Sequence, residues 1–509
     1  MSPAVDSKGE KAMKDARIST GIDGLDEVLG GGFIPASSYL IVGGPGTGKT
    51  LLSLQFLSES AKRKVRSLLI TFAEPEETLR RNAAVFGWDL ADITIVDFSK
   101  TMQEGPTDGE YTVFAPSEVE NEPIWKRIHQ AIEEHAPERL VIDSATFLRY
   151  LSTDEYQYRK QIQALVNLLA VRKCLSLLLF EPVELEKDNA LALAVDGVLT
   201  LRNEISENRL VEIRTVESNK MRGSSYMSGR HALRITRQGV RVWPHRIAKL
   251  KKNTYERKDL ASGVAGLDQL LMGGFPAGTS TLISGPSGAG KSTLAIQFLA
   301  TAAAAGHKGV IYTFEESLAS MLERCNALSI PLKKHLEDGS ITVREINPLE
   351  NYPDEFLGLL REGTEKSGAD VLVLDSLRGY SLAMEEFGSV IANIQNIINY
   401  LRGSRASLFI VNEQEKITGD LRITDHGVSY VADNTLLIRY AETYGRVTKI
   451  IGCLKKRLGN FQPELREFRI TPQGLEVGEK LVHLQGLLTG VPTHDGTTAR
   501  AESAGGEGA

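Results

Sequence analysis

The chain has 509 residues, 42% of them hydrophobic and 24% charged. That is too long for one ordinary domain and suits two of roughly 230 residues each. A formal net charge of −6 argues against a broadly basic protein that coats nucleic acid, and three cysteines without a C-x-x-C pair offer no zinc site and fit a reducing compartment.

Residues 1–14 read as a tail. From Ser19 to Gly32 the run STGIDGLDEVLGGG leads into an apolar strand at Ser38–Val42, a loop GGPGTGKT at 43–50, and apolar helical spacing over Leu51–Phe56. Thr71-Phe72-Ala73-Glu74 follows, then a polar excursion at Lys100–Glu122, the short strand LVIDS at Leu140–Ser144, and a basic group at Lys220-Met221-Arg222. The longest apolar runs, such as Leu175–Phe180, have strand length and cannot cross a bilayer. No signal peptide is visible at the start, so a cytoplasmic protein with no membrane contact is expected.

The basic stretch Lys249–Lys258 reads as a linker joining a first domain at 15–248 to a second at 259–484. After it the pattern returns: ASGVAGLDQLLMGG at Ala261–Gly274, a strand at Ser280–Ser284, GPSGAGKS at 285–292, and helical spacing over Thr293–Phe298. Thr313-Phe314-Glu315-Glu316, LVLDS at Leu372–Ser376 and Lys455-Lys456-Arg457 complete the repeat. Lys49 and Lys291 stand 242 positions apart but Asp143 and Asp375 only 232, so the first copy holds ten extra residues, assigned to the polar excursion. Residues 485–509, rich in Gly, Ala, Ser and Thr, are expected to be a largely disordered tail. Strands alternating with amphipathic helices imply an α/β fold, two tandem P-loop domains each built on a mainly parallel sheet flanked by helices.

Both loops match G-x-x-x-x-G-K-[ST] between a strand and a helix, the setting that makes such a match a phosphate site. The backbone must curl its N–H groups around phosphate, and side chains would block the approach. ATP contacts are assigned to Gly44, Gly46, Thr47, Gly48, Lys49 and Thr50 in the first copy, and to Gly288, Ala289, Gly290, Lys291, Ser292 and Thr293 in the second. Thr50 and Ser292 would place a hydroxyl on Mg²⁺, and Asp143 and Asp375, each ending a short apolar strand, would hold the metal shell. A turn aspartate at a strand end is the alternative.

Glu315 and Glu316 are candidates for the base that orients water or a hydroxyl toward the γ-phosphate, Glu316 also for the metal. The alternative is a solvated acidic helix start. The first copy has Ala73 before Glu74, so either Glu74 serves alone or that copy binds ATP and turns it over poorly. Lys220 and Arg222, like Lys455 and Arg457, suit a cation pair that reaches nucleotide held by a neighbouring subunit, or are simply solvated.

These segments together resemble the KaiC family, the double-domain RecA-like ATPases and autokinases of the circadian clock. The likeness runs from about Arg17 to Thr493 through TFAEPEETLRRNAAVFGWDL, NKMRGSSYMSG, FEES, LVLDSLRGYS, ITDHGVSYVADNTLLIRY and LREFRIT…LVHLQGLLTGVPT. It implies two tandem RecA-like P-loop NTPase domains and a homohexamer of two stacked rings with ATP and Mg²⁺ between subunits. The family's first ring hydrolyses ATP slowly, and its second phosphorylates and later dephosphorylates hydroxyls of the adjacent subunit. The matching acceptor positions are Ser429 and Tyr430, with Thr424 a further hydroxyl nearby. Tyr430 departs from the family's usual threonine and places its oxygen too far out for a site shaped around a short acceptor. Leu458 where the first copy has Gly223, and Ala73, are further departures. Lys480–Gly490 aligns with the loop by which the family meets an activating partner.

Three functions compete: an autokinase and ATPase acting as a timing or signalling hub with Kai-type clock partners, a kinase-inactive ATP switch signalling to a protein such as a histidine kinase, and a DNA translocase. The acidic balance and the lack of a basic, aromatic loop count against DNA.

Overall fold

The computed structural model describes residues 17–99, 122–152, 154–182, 190–206, 212–246, 258–384, 389–414, 427–443, 446–481, 484–485 and 493–494. The polar excursion, nearly all of the linker, Thr424 and most of the C-terminal tail therefore lie outside the described residues. The chain divides into two compact units, one ending at Arg246 and the other beginning at Ile247.

In the first unit the strands are β1 (Ser38–Gly43), β2 (Ser67–Thr71), β3 (Ile93–Asp97), β4 (Arg139–Asp143), β5 (Leu175–Phe180), β6 (Gly197–Ile205), β7 (Glu212–Met221), β8 (Arg230–Thr236) and β9 (Gly239–Trp243). They form one sheet in the order β3-β2-β4-β5-β1-β6-β7-β8-β9. The six strands from β3 to β6 are parallel, and β7, β8 and β9 add antiparallel. Burial is continuous along β1 and β5, which are apolar but for Ser38, Gly43 and Ser176, because helices cover both faces of a parallel sheet.

Alternate residues feed opposite sides of this sheet. Ile41, Leu69, Val141, Leu177 and Leu179 join the core cluster under helix Lys49–Lys62, while Leu40, Val42, Ile70, Ile142 and Leu178 join the cluster with Ile128, Ile162 and Leu165. At about 25 cal/mol per Å² of apolar area, these paired layers are the main stabilising contribution of each domain.

The second unit repeats the plan. A two-residue ladder of β10 (Asp259–Leu260) and β11 (Phe275–Pro276) precedes β12 (Ser280–Gly285), β13 (Gly309–Thr313), β14 (Ile341–Glu345), β15 (Val371–Asp375) and β16 (Ser407–Glu413). Then come β17 (Asn434–Thr443), β18 (Arg446–Lys456), β19 (Arg466–Thr471) and β20 (Gly474–Lys480), in the order β14-β13-β15-β16-β12-β17-β18-β19-β20. The chain thus carries two tandem RecA-like domains, each with a nine-stranded, mainly parallel sheet.

Register sets the site. Thr71 lies beside Asp143 and Thr313 beside Asp375, so β2 with β4 and β13 with β15 end level, next to the loops that leave β1 and β12. All three cysteines are buried, and burial pushes the Cys174 thiol up to about 12 and those of Cys325 and Cys453 to about 11, as inert thiols require. Among the described residues no helix is long and apolar enough to cross a membrane.

Candidate functional site

Each phosphate loop joins a buried strand to a long helix, and left-handed glycines make the turn. Gly48 (φ 97°) and Gly290 (φ 102°) are the residues just before helices Lys49–Lys62 and Lys291–Ala304. A Cβ at Gly290 would also come within 2.6 Å of Ile470 Cδ1, a side-chain tip that would have to shift, so it is the left-handed backbone that demands glycine there. Thr47 Oγ1 donates to the Gly44 carbonyl (2.8 Å), bracing the first loop from inside.

The two lysines fold back onto their own loops. Lys49 Nζ donates to the carbonyls of Gly43 (2.6 Å) and Gly44 (2.9 Å), and Lys291 Nζ to that of Pro286 (2.7 Å). Burial pushes both ammonium groups below their ordinary range, most strongly countered by Asp143 for Lys49 and by Glu413 for Lys291. An anion arriving at the loop would compensate that burial, which is what a phosphate site offers.

The metal-side assignments meet in both halves. Thr50 Oγ1 donates to Asp143 Oδ2 at 2.7 Å, and Ser292 makes the matching hydrogen bond to Asp375. Burial raises both carboxyls, Asp375 to about 6, and nearby Glu74 (for Asp143) or Glu316 and Glu315 (for Asp375) push the same way. A buried carboxylate crowded by others is the donor set that a hard cation relieves, so the residues present fit Mg²⁺ bound through oxygen.

The glutamate pair divides. Glu316 has both carboxylate oxygens on Arg324, at 3.1 Å from Nε and 2.6 Å from the terminal nitrogen, while another guanidinium nitrogen donates to Thr293 Oγ1 (2.6 Å). Glu315 instead accepts from Ser376 Oγ at 3.1 Å, next to Asp375. Both line a cavity of about 530 Å³ together with Lys291, Ser292, Asp375 and Glu413. The arrangement leaves Glu315 as the carboxylate turned to the metal-side residues and makes Glu316 a partner of Arg324. Glu74 occupies the Glu316 place in the first half, accepting from Asn82 Nδ2 at 3.2 Å. Ala73 occupies the Glu315 place.

The late basic residues do something different from reaching their own loop. Neither Lys455 nor Arg457 lines the cavity of its own half. Lys455 Nζ donates to the carbonyls of Ser429 (3.0 Å), Tyr430 (3.4 Å) and Ala432 (2.6 Å), capping the short helix Val428–Val431. Lys220 caps helix Ala190–Ala194 likewise, on the carbonyls of Ala192, Leu193 and Val195. Arg222 donates to the Leu193 carbonyl (2.9 Å), and Arg457 to Asp433 Oδ1 (3.2 Å). A cation on the exposed carbonyls of a helix end is favourable by about 0.3–1 kcal/mol. Ser429 is half-buried on this helix and Tyr430 is 82% exposed.

Sequence reasoning missed Arg324, Ser376, Glu413 and its counterpart Glu181, because none carries a motif of its own. The repeat contained a usable signal for two of them: Glu181 and Glu413 are 232 apart, the spacing of the two aspartates. Arg324 was beyond reach, since the first half has Asn82 there.

Two phosphate loops on parallel sheets, each with a lysine, a hydroxyl and a strand-end aspartate converging, define a tandem RecA-like nucleotide-binding protein. The family model for the KaiC ATPase matches residues 18–247 and again 260–482. The chain is 26% identical over 506 residues to the circadian clock oscillator protein KaiC of Parasynechococcus marenigrum (strain WH8102), with 97% of each chain covered. Against the circadian clock oscillator protein KaiC of Synechococcus elongatus (strain ATCC 33912 / PCC 7942 / FACHB-805) it is 26% identical over 494 residues, covering 94% of this chain and 92% of that one. Against the circadian clock protein KaiC3 of Synechocystis sp. (strain ATCC 27184 / PCC 6803 / Kazusa) it is 26% identical over 501 residues, covering 96% of each. The chain belongs to the KaiC ATPase family.

Proposed function

We propose that this protein is an ATPase and serine autokinase of the KaiC type, a cytoplasmic homohexamer in which ATP and Mg²⁺ bind between adjacent copies. The observation that carries the reading is the separation of Glu315 from Glu316: one carboxylate faces Asp375 and Ser376, the other is neutralised by Arg324. Bound Mg·ATP supplies the activated phosphoryl group. Glu315 takes the proton of the incoming hydroxyl as Ser429 Oγ of the adjacent copy bonds to the γ-phosphorus and the bond to the β–γ bridging oxygen breaks. Lys291 offsets charge on the departing ADP. Lys455 and Arg457, on the copy that supplies the hydroxyl, face the transferred group, and Lys220 and Arg222 hold the corresponding place in the first ring. The phenol of Tyr430 overshoots such a site, so Ser429 is the acceptor.

Incubation of the full-length chain with γ-labelled ATP and Mg²⁺, followed by phosphopeptide mapping, tests this. Label on Ser429 is expected, and none in the 424–430 peptide would sink the kinase reading. The second reading, a kinase-inactive ATP switch signalling to a clock protein or histidine kinase, draws on Ala73 and on Tyr430. Native mass spectra showing ATP-dependent hexamers without label would favour it.

A further inference from the structure

The first half lets the second be read by subtraction. Gly197 pairs with Tyr39 and Asn434 with Thr281, so helices Ala190–Ala194 and Val428–Val431 occupy equivalent places before β6 and β17. An aspartate follows each helix and ties it to the neighbouring strand. Asp196 Oδ2 accepts from the Ser38 amide (3.0 Å), and Asp433 Oδ2 from the Ser280 amide (3.1 Å). Each helix is capped by one lysine on three equivalent carbonyls. Helix end, aspartate and lysine cap thus belong to the fold, since both halves have them.

Three side chains are additions. Where the first half has Ala170, Ala192 and Leu193, the second has Arg402, Ser429 and Tyr430, counting from the paired strands that follow each helix. Arg402 donates to Asp433 Oδ1 at 2.7 Å, the same oxygen that Arg457 takes at 3.2 Å. Arg402, Arg457 and Lys455 thus gather around one aspartate, two positive charges in excess, beside a helix that has gained a half-buried hydroxyl. Lys455 feels the crowding: burial, then Arg457, pushes its ammonium below the ordinary range. The first half keeps the helix end, the aspartate and the lysine cap without that arginine, so none of the three requires it, while Lys455, on the Ser429 carbonyl, links the cluster to the helix that has gained the hydroxyl.

We propose that Arg402, Lys455 and Arg457 form a seat for the phosphomonoester of Ser429 in the chain that carries it. The proposal rests on the reading of Ser429 as acceptor and adds a specific site that retains the product. A phosphate dianion on Ser429 supplies the charge the cluster lacks, and arginines bind its oxygens in pairs. On Tyr430, exposed to solvent, the same group would stand several ångströms farther out. The seat therefore selects serine.

The test uses the full-length chain with phosphoserine installed at position 429 during translation, which needs no kinase activity. The ³¹P resonance is titrated with pH. A free phosphoserine peptide has its second pKa near about 6, and in the folded chain the midpoint is expected about one unit or more lower. Arg402→Gln is expected to return it most of the way to the peptide value, and Arg402→Lys to hold an intermediate one. A wild-type midpoint equal to the peptide's, or a lowered midpoint unmoved by Arg402→Gln in a protein that melts as the wild type does, overturns the seat. If Arg402→Gln does not fold, the wild-type and Arg402→Lys midpoints decide. Labelling with γ-labelled ATP separates the two claims: no label on Ser429 with a lowered midpoint retires the kinase and keeps the seat, while label with an unshifted midpoint does the reverse.

Discussion

In the second half Ser376 donates to Glu315 at the mouth of the phosphate site, whereas in the first half Ala73 stands in the place of Glu315; in both halves the serine also accepts from a backbone amide, that of Gly379 or Thr146. Around that difference the halves are alike in strand order, in the hydroxyl–aspartate contact and in the lysine that caps a short helix. Binding of phosphate asks for a loop, a helix start and a lysine, which both halves keep. Chemistry at the γ-phosphate asks for one more oriented carboxylate, which only the second has. On the proposed function, this difference would make the first half an ATP-held scaffold and the second the seat of turnover.

The largest expected effect breaks the comparison at its root. Lys291→Ala should lower phosphate release and Ser429 labelling by about 100-fold or more, whereas Lys49→Ala should spare most hydrolysis per folded ring and weaken assembly, read by native mass spectrometry. Equal losses from the two variants would contradict a division between the halves.

Next in size are the glutamates. Glu315→Gln should cost about 100-fold in turnover, and Glu316→Gln far less in kcat, with its main effect on thermal stability through Arg324. In a Lys291→Ala background, Ala73→Glu should raise the residual hydrolysis above that of Lys291→Ala alone. An unchanged rate would show that the missing carboxylate is not what limits the first site.

A smaller effect concerns pH. Asp375 is buried and its carboxyl is raised to about 6, above the unfolded value of 3.8, so the folded protein holds that proton more tightly. Its contribution to stability is then fully present below about pH 4 and lost as pH rises through about pH 6. Without metal or nucleotide this amounts to at most about 3 kcal/mol. Asp375→Asn should flatten that part of the pH–Tm curve of the metal-free protein while weakening Mg²⁺-dependent ATP binding. A wild-type curve already flat between those pH values would exclude the effect.

The smallest change is at the caps. Lys220→Met should cost about 1 kcal/mol by removing the cation from helix Ala190–Ala194, measured by denaturant unfolding. Lys455→Met should cost a similar amount and also depress labelling, since that lysine has a second role.

Much of this was legible in the chain. Strand, glycine loop and helix are encoded within a few consecutive residues, so β1, β12 and the loops stand where apolar runs and GKT or GKS put them. Doubling of the pattern exposed the strand-end aspartates as well. What escaped were groups whose meaning depends on packing: in sequence Glu315 and Glu316 share the same catalytic candidacy, with the metal role on Glu316 alone, and no motif says that Arg324 takes Glu316 while Glu315 turns to Ser376. Lys455 likewise reads in sequence as half of a cation pair for a neighbour's nucleotide or as a solvated loop cation, and only the structure puts the carbonyls of Ser429 and Ala432 under it.

By itself the sequence determined two α/β nucleotide-binding domains, the lysine and hydroxyl at each phosphate loop, and the asymmetry at Ala73, because these follow from short-range patterning and from the repeat. Only the tertiary structure decided which glutamate faces the aspartate, which cation binds which carboxylate, and that Arg402 joins Lys455 and Arg457 beside Ser429. Those choices depend on contacts between residues from 8 to 61 positions apart, where burial and charge neutralisation, rather than local preference, select the partner.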